Sequence, residues 1–447
     1  MIENGTNGEE PENVSQQSLD NNRERERERE VSAPNSAAGK GVVSPVLQYT
    51  RCTGWGVILA LIFWCAIALP CSANQIGCTS VVMSGPGYIG LDDNHGNPLS
   101  ANVLVSQVQA NVMAEPFTLT ATISCAPGPS WTGEAVVALA QFETESSHAY
   151  TPFSVTPAST WITVPGGGSK TVSFTFNGLP DSVQPLINTV INIGCYNPQI
   201  RGYPSMLEQT QFDIYTTHYL PEAPQQRPFL GVISDACNWA VGTTQYGATE
   251  AALTEGLYYS QYITYDAKAQ FTQFTPAFPA APTGEIFLLT QFLYGRPTPG
   301  SCYDVANYLL CCANALGLQC TCDLINNNAI QQKTLGQSFV TNPIYLIGSD
   351  PSNGYTTPTF YNHQVLIDKG GNVCDASLAM VFDLAGTINR PIIPPTAWQL
   401  LGYWQTPSTC ACPTENTGLV NTPIPSAPNI IISHCVPVIS TDTNIIG

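Results

Sequence analysis

A run of seventeen uncharged residues, Gly54 to Pro70, splits this chain into two parts under different constraints. It is at the short end for a membrane span, and the flanking Cys and Ser residues extend it to about 20. Lys40 and Arg51 precede it and no Lys or Arg follows until Lys170, which predicts a cytoplasmic N-terminus and an exported body. Cys71-Ser72-Ala73 also reads as a cleavage site, so 52–73 is either a transmembrane signal anchor or a signal peptide. The anchor is the favoured reading, because fifty residues is long for the leading region of a signal peptide. In either case the body is exported, at a cell surface, in a periplasm or secreted.

Residues 1–51 have no apolar periodicity and hold an Arg-Glu alternation from Arg23 to Glu30. Such a tail cannot bury enough apolar surface to offset its ordering entropy, so disorder is expected. Of the 447 residues, 43% are apolar and 10% charged, with a net charge of −18. That supports packed cores and excludes nucleic acid as a partner.

Residues 74–220 contain short β-rich runs such as Phe117 to Ile123, Glu134 to Ala140 and Thr171 to Phe176, separated by Gly, Pro and Ser turns. The spacing predicts a β-sandwich, and the piece from Phe153 to Phe176 resembles the later strands of immunoglobulin-like domains. Asp92 to Gly96 reads as a turn, since it lacks the ligand spacing of a calcium loop. The proline-rich stretch 219–228 reads as a linker to a second domain, 221–447, whose end is a disulfide-rich covering segment.

In that second domain, Gly300-Ser301-Cys302 precedes apolar residues at three- and four-residue steps: Val305, Ala306, Tyr308, Leu309, Cys312, Ala313 and Leu316. The pattern predicts a buried helix with Cys302 in its first turn, where unpaired N–H groups and the helix dipole favour a thiolate. Further on, His363 and Asp375 flank a Lys369-Gly370-Gly371-Asn372 turn between two short extended runs, which predicts a β-hairpin bringing them within reach. Cys302 as nucleophile, His363 as base and Asp375 as its orienter fill the roles of a cysteine-type catalytic triad.

Gly300 to Ala306, Leu316-Gly317-Leu318, His363 ahead of a hydrophobic strand and Asp375 one hairpin later together resemble the transglutaminase-like superfamily. The resemblance implies an α+β, papain-like domain behind the immunoglobulin-like sandwich and the transmembrane helix. It also implies acyl transfer through a thioester on Cys302. Resolution by water makes a peptidase or amidase, slightly favoured here; resolution by an amine makes a cross-linking acyltransferase. The substrate is then a protein or peptide. Gln364 follows His363 where the family carries Trp, and Gln319-Cys320-Thr321-Cys322 stands where it carries a small residue and Arg. Trp239 and Gln291 are candidates for the lip or oxyanion group. A catalytically idle adhesion or scaffold protein is the alternative from another class.

Thirteen cysteines follow Ala73, and reserving Cys302 leaves twelve, enough for six disulfides in an oxidising compartment. Cys125 and Cys195 are one candidate bridge. Metal binding by Cys311, Cys312, Cys320 and Cys322 is the weaker rival, because the spacing lacks paired C-x-x-C and a matching His. Nothing in the chain demands a cofactor or a metal.

Overall fold

The computed structural model describes residues 76–141, 154–177, 179–196, 205–266, 274–275, 286–326, 339–340, 344–349, 356, 358–360, 362–380, 398–399, 434–435 and 438–439. All fall in one compact unit, Leu61–Gly447.

Nine strands come first: β1 (Ile76–Ser84), β2 (Tyr88–Ile89), β3 (Val108–Val112), β4 (Phe117–Cys125), β5 (Trp131–Gln141), β6 (Ser154–Val164), β7 (Ser169–Phe176), β8 (Gln184–Tyr196) and β9 (Ser205–Thr217). They make two sheets, ordered β1-β4-β7 and β2-β3-β9-β8-β5-β6. In β4 every second residue from Phe117 to Cys125 is buried, as the two-residue period of a half-buried strand requires. The inward set packs with Val81, Leu139, Ile191 and Ile193 into one apolar core. On the outer face, hydroxyl pairs such as Thr120–Ser173 at 3.0 Å stay in water. Cys195 faces Cys78: burial and then the Cys78 thiol raise its pKa to about 12. Cys125 instead points its thiol at the Pro129 carbonyl.

Four helices follow: α1 (Leu230–Trp239), α2 (Tyr246–Tyr259), α3 (Leu289–Gly295) and α4 (Cys302–Ala315). Between and after them run thirteen strands of two to six residues: β10 (Ile263–Tyr265), β11 (Ile286–Phe287), β12 (Thr298–Gly300), β13 (Thr321–Asn326), β14 (Phe339–Val340), β15 (Ile344–Leu346), β16 (Thr359–Phe360), β17 (Asn362–Ile367), β18 (Asn372–Cys374), β19 (Leu378–Met380), β20 (Trp398–Gln399), β21 (His434–Cys435) and β22 (Val438–Ile439). The largest sheet here is ordered β20-β18-β17-β13-β21. A second apolar core joins α1, α2, α4 and this sheet to Ile89, Ala110, Val112 and Tyr215 of the sandwich strands. The Asp92 to Gly96 turn adds polar ties, Asn94 accepting from Gly231 N–H at 2.7 Å and from the Thr290 hydroxyl at 3.0 Å.

The expected fold class is corrected. The chain is mostly β-sheet with four helices among the described residues, and no α+β transglutaminase-like domain is shown. Helical periodicity holds only over short segments, and beyond α4 the described chain pairs as short strands. No described helix is long and apolar enough to cross a membrane. The expected anchor, 52–73, the tail, 1–51, and Cys410 and Cys412 lie outside the described residues. Among the described residues, Cys78, Cys125, Cys195, Cys237, Cys302, Cys311, Cys312 and Cys320 carry free thiols.

Candidate functional site

The site is built on α4, and the start of that helix is determined locally. Ser301 is extended, with φ −116° and ψ 177°, and its N–H is accepted by the Asp304 carboxylate three residues on, at 3.1 Å. That is a capping arrangement, and an acidic group in the first turn also suits the helix dipole. Cys302 is therefore the first helical residue. Every residue of α4 is buried, so this is a core helix rather than a surface one. It ends at Gly317, whose φ of +77° is left-handed and whose missing Cβ would lie 2.7 Å from the Tyr219 Cβ.

His363 comes from β17 and Asp375 from just past β18, two strands paired antiparallel through Leu366–Cys374 and Ile367–Val373. The turn between them is tied by Asp368, whose Oδ1 accepts the N–H groups of Gly370 and Asn372, and Gly371 takes φ +81°. His363 Nε2 donates to Asp375 Oδ2 at 2.7 Å, and Ser377 N–H donates to Oδ1 at 2.8 Å. Both carboxylate oxygens are thus engaged in a site where His363 is 0% and Asp375 2% exposed.

Nδ1, the other ring nitrogen of His363, makes no regular hydrogen bond. Cys302 is the second side chain acting on the ring. Burial pulls the His363 pKa down, but the Asp375 charge and hydrogen bond outweigh it and, with Cys302, lift it to about 10. The imidazole thus keeps both protons through neutral pH.

A buried polar chain holds α4 against β17. Asp304 Oδ1 accepts from Phe274 N–H and from the Thr275 hydroxyl, both at 3.1 Å; Asn307 Nδ2 donates to Thr275 Oγ1 and Gln364 Nε2 to Asn307 Oδ1, each at 3.2 Å. Gln364, noted in the sequence as a departure, is thereby the link that sets the His363 strand against the Cys302 helix.

Tyr265 was missed in the sequence. β10 runs parallel to β12 with Tyr265 opposite Gly300, two residues before Cys302. Its hydroxyl lies beside Cys302. Burial first, then Cys302, push this phenol well above its usual range. The Tyr265 ring lies edge-on to Phe360 at 5.9 Å, and Phe360 stacks on His363 at 5.1 Å and 20°. Ile347 splints the arrangement, accepting from Tyr265 N–H at 3.0 Å and donating to the Ser377 carbonyl at 2.9 Å. A three-residue strand carries no periodicity, so only the unusual Tyr262-Ile263-Thr264-Tyr265 alternation could have marked it.

Trp239 is set elsewhere, its ring 5.8 Å from Tyr262 and 6.3 Å from Tyr308, and Gly256 leaves room for it. That aromatic group surrounds Asp235, which pairs with Arg296 and accepts from the Tyr308 hydroxyl. Gln291 lies half-buried on α3. Among the described residues no group of three or more His, Cys, Asp or Glu side chains is arranged to hold a metal.

No protein-family model matches the chain. No curated protein matches it either. Solved structures give distant likenesses. The C-terminal domain of wzt is 9% identical over 32% of this chain and 74% of its own, with a TM-score of 0.21. A Paenibacillus cycloisomaltooligosaccharide glucanotransferase is 13% identical over 62% and 34%, TM-score 0.19. The Bacillus subtilis sporulation control protein Spo0M is 10% identical over 36% and 54%, TM-score 0.17.

Proposed function

We propose that this protein is a cysteine-dependent acyl-transfer enzyme acting on the amide or peptide bonds of a protein or peptide substrate. The carrying observation is the His363–Asp375 pair at 2.7 Å with Cys302 as the second side chain acting on the imidazole. The motif-level resemblance to the transglutaminase-like superfamily supports the chemistry.

Cys302 Sγ attacks the carbonyl carbon, forming a C–S bond while the carbonyl π electrons move to oxygen. The oxyanion is received by the Cys302 N–H at the head of α4, and the Tyr265 hydroxyl beside Cys302 donates to it. Collapse breaks the C–N bond, the leaving amine takes the proton from His363 Nδ1, and a thioester remains. Water or an amine then attacks that thioester, returning its proton to His363; we favour water. Asp375 holds the ring orientation throughout. The run Gly54 to Pro70 is the proposed single anchor, with the N-terminus cytoplasmic and the site outside.

One observation favours an idle scaffold instead: Cys302 is 3% exposed, with the Tyr265 hydroxyl against it. Iodoacetamide labelling of the folded, non-reduced protein with peptide mass mapping separates the two. Rapid labelling at Cys302 below about pH 7, lost in His363→Ala, supports acyl transfer; labelling only near pH 8.5 and indifferent to His363 refutes it. Product mass with and without an added amine distinguishes hydrolase from transferase.

A further inference from the structure

The hairpin carrying His363 and Asp375 turns at Asp368 to Asn372, and this turn lies against α2. Lys369 Nζ sits 3.3 Å over the Tyr246 ring. One helical turn along α2, Glu250 is 3% exposed, with Cys320 Sγ at 3.9 Å from its Oε1 and the Asp368 carboxylate facing it. Asp368 is committed to the turn, accepting two backbone N–H groups and the Asn372 side-chain amide. Two carboxyls thus meet beside α2, Glu250 buried and Asp368 half-buried, an arrangement that is stable when one of them holds the proton.

We propose that Glu250 is a positioning residue: in its neutral form it docks the β17–β18 turn on α2 and so fixes the His363–Asp375 pair, and its ionisation releases the turn. The consequence for catalysis rests on the acyl-transfer reading; the docking does not.

Burial, then the Asp368 charge, moves Glu250 up to about 7, while Lys369 pulls the other way. Other titratable groups surround the contact. From α2 comes Tyr246, raised by burial, and from the residue just before β13 comes Cys320, raised by burial and then by Glu250. From the segment after β9 come Tyr219 and His218, both stacked on Tyr246; His218 is lowered by burial and then by Lys369. Because Glu250 sits higher in the folded protein than in the open chain, its docking contribution is complete at low pH and is lost as pH rises through about 7. His363, at about 10, does not titrate in that window.

The test is hydrogen exchange of the peptide 362–376 in the full chain, corrected for intrinsic rate, between pH 6 and 8. In the wild type the opening equilibrium of the turn should rise about tenfold across that range, and in Glu250→Gln it should stay flat. Asp368→Asn should move the midpoint down and Lys369→Ala should move it up, while His218→Gln leaves it in place. The rate of Cys302 alkylation, taken relative to Glu250→Gln, should fall over the same window. A wild-type exchange profile parallel to that of Glu250→Gln overturns the proposal, as does a midpoint that follows His218→Gln. A turn that opens on schedule beside a Cys302 that never alkylates upholds the docking and refutes the acyl-transfer reading alone.

Discussion

The sandwich, β1 to β9, and the helix-and-hairpin region after it bury comparable apolar side chains but differ in what else they bury. Among the described residues, every buried Asp, Glu or His lies at or after His218: His218, Asp235, Glu250, Asp304, Asp323, His363 and Asp375. The sandwich buries amides and hydroxyls but none of these groups. Taking an ionisable group out of water costs free energy unless partners compensate, and here partners are built in: Asp304 caps α4 and Asp235 pairs with Arg296, while His363 pairs with Asp375. The contrast places the proposed chemistry in the region that buries ionisable groups, and leaves the sandwich with its apolar core.

Breaking the second region should abolish chemistry while leaving the first intact. Cys302→Ala or His363→Ala should lower amidase turnover by about 10³-fold or more with the sandwich still folded, read by kcat and by far-ultraviolet circular dichroism. Asp375→Asn should cost about 10²-fold or more, because His363 loses the carboxylate that holds its protons. The sign for stability follows from the raised His363 value. Its contribution is complete below about pH 6.5 and is lost as pH rises through about 10, so the melting temperatures of wild type and Asp375→Asn should converge toward pH 10.

Tyr265→Phe sharpens the comparison, since it keeps the ring on Phe360 and removes only the hydroxyl. kcat should fall about 10- to 100-fold with KM and the melting temperature little changed. Ile191→Ala tests the other side. It should destabilise the protein by about 2–5 kcal/mol in urea titration, yet leave Cys302 labelling unchanged well below the melting point. Thr120→Ala, removing one exposed hydroxyl pair, should cost no more than about 1 kcal/mol and nothing in labelling.

What could be read ahead of the structure was local. Gly300-Ser301 ahead of the apolar run marks the start of α4, because a helix entry depends on neighbours within a turn. The Gly370-Gly371 turn follows from glycine's access to positive φ, and the alternating burial of β4 follows from a two-residue period. The fold class was misread because strands of two or three residues, such as β10, β15 and β18, are too short to show a period. The resemblance then filled the silence with a larger helical domain.

The sequence by itself determined where α4 begins, which cysteine stands at its head and which two residues flank the hairpin, since each depends on interactions within a few residues. Only the tertiary structure decided that Tyr265 meets Cys302, that Gln364 ties the His363 strand to α4 and that Glu250 faces Asp368. Those contacts join segments far apart in the chain through short strands and buried polar atoms, and their energies exist only once packing has removed water from between them.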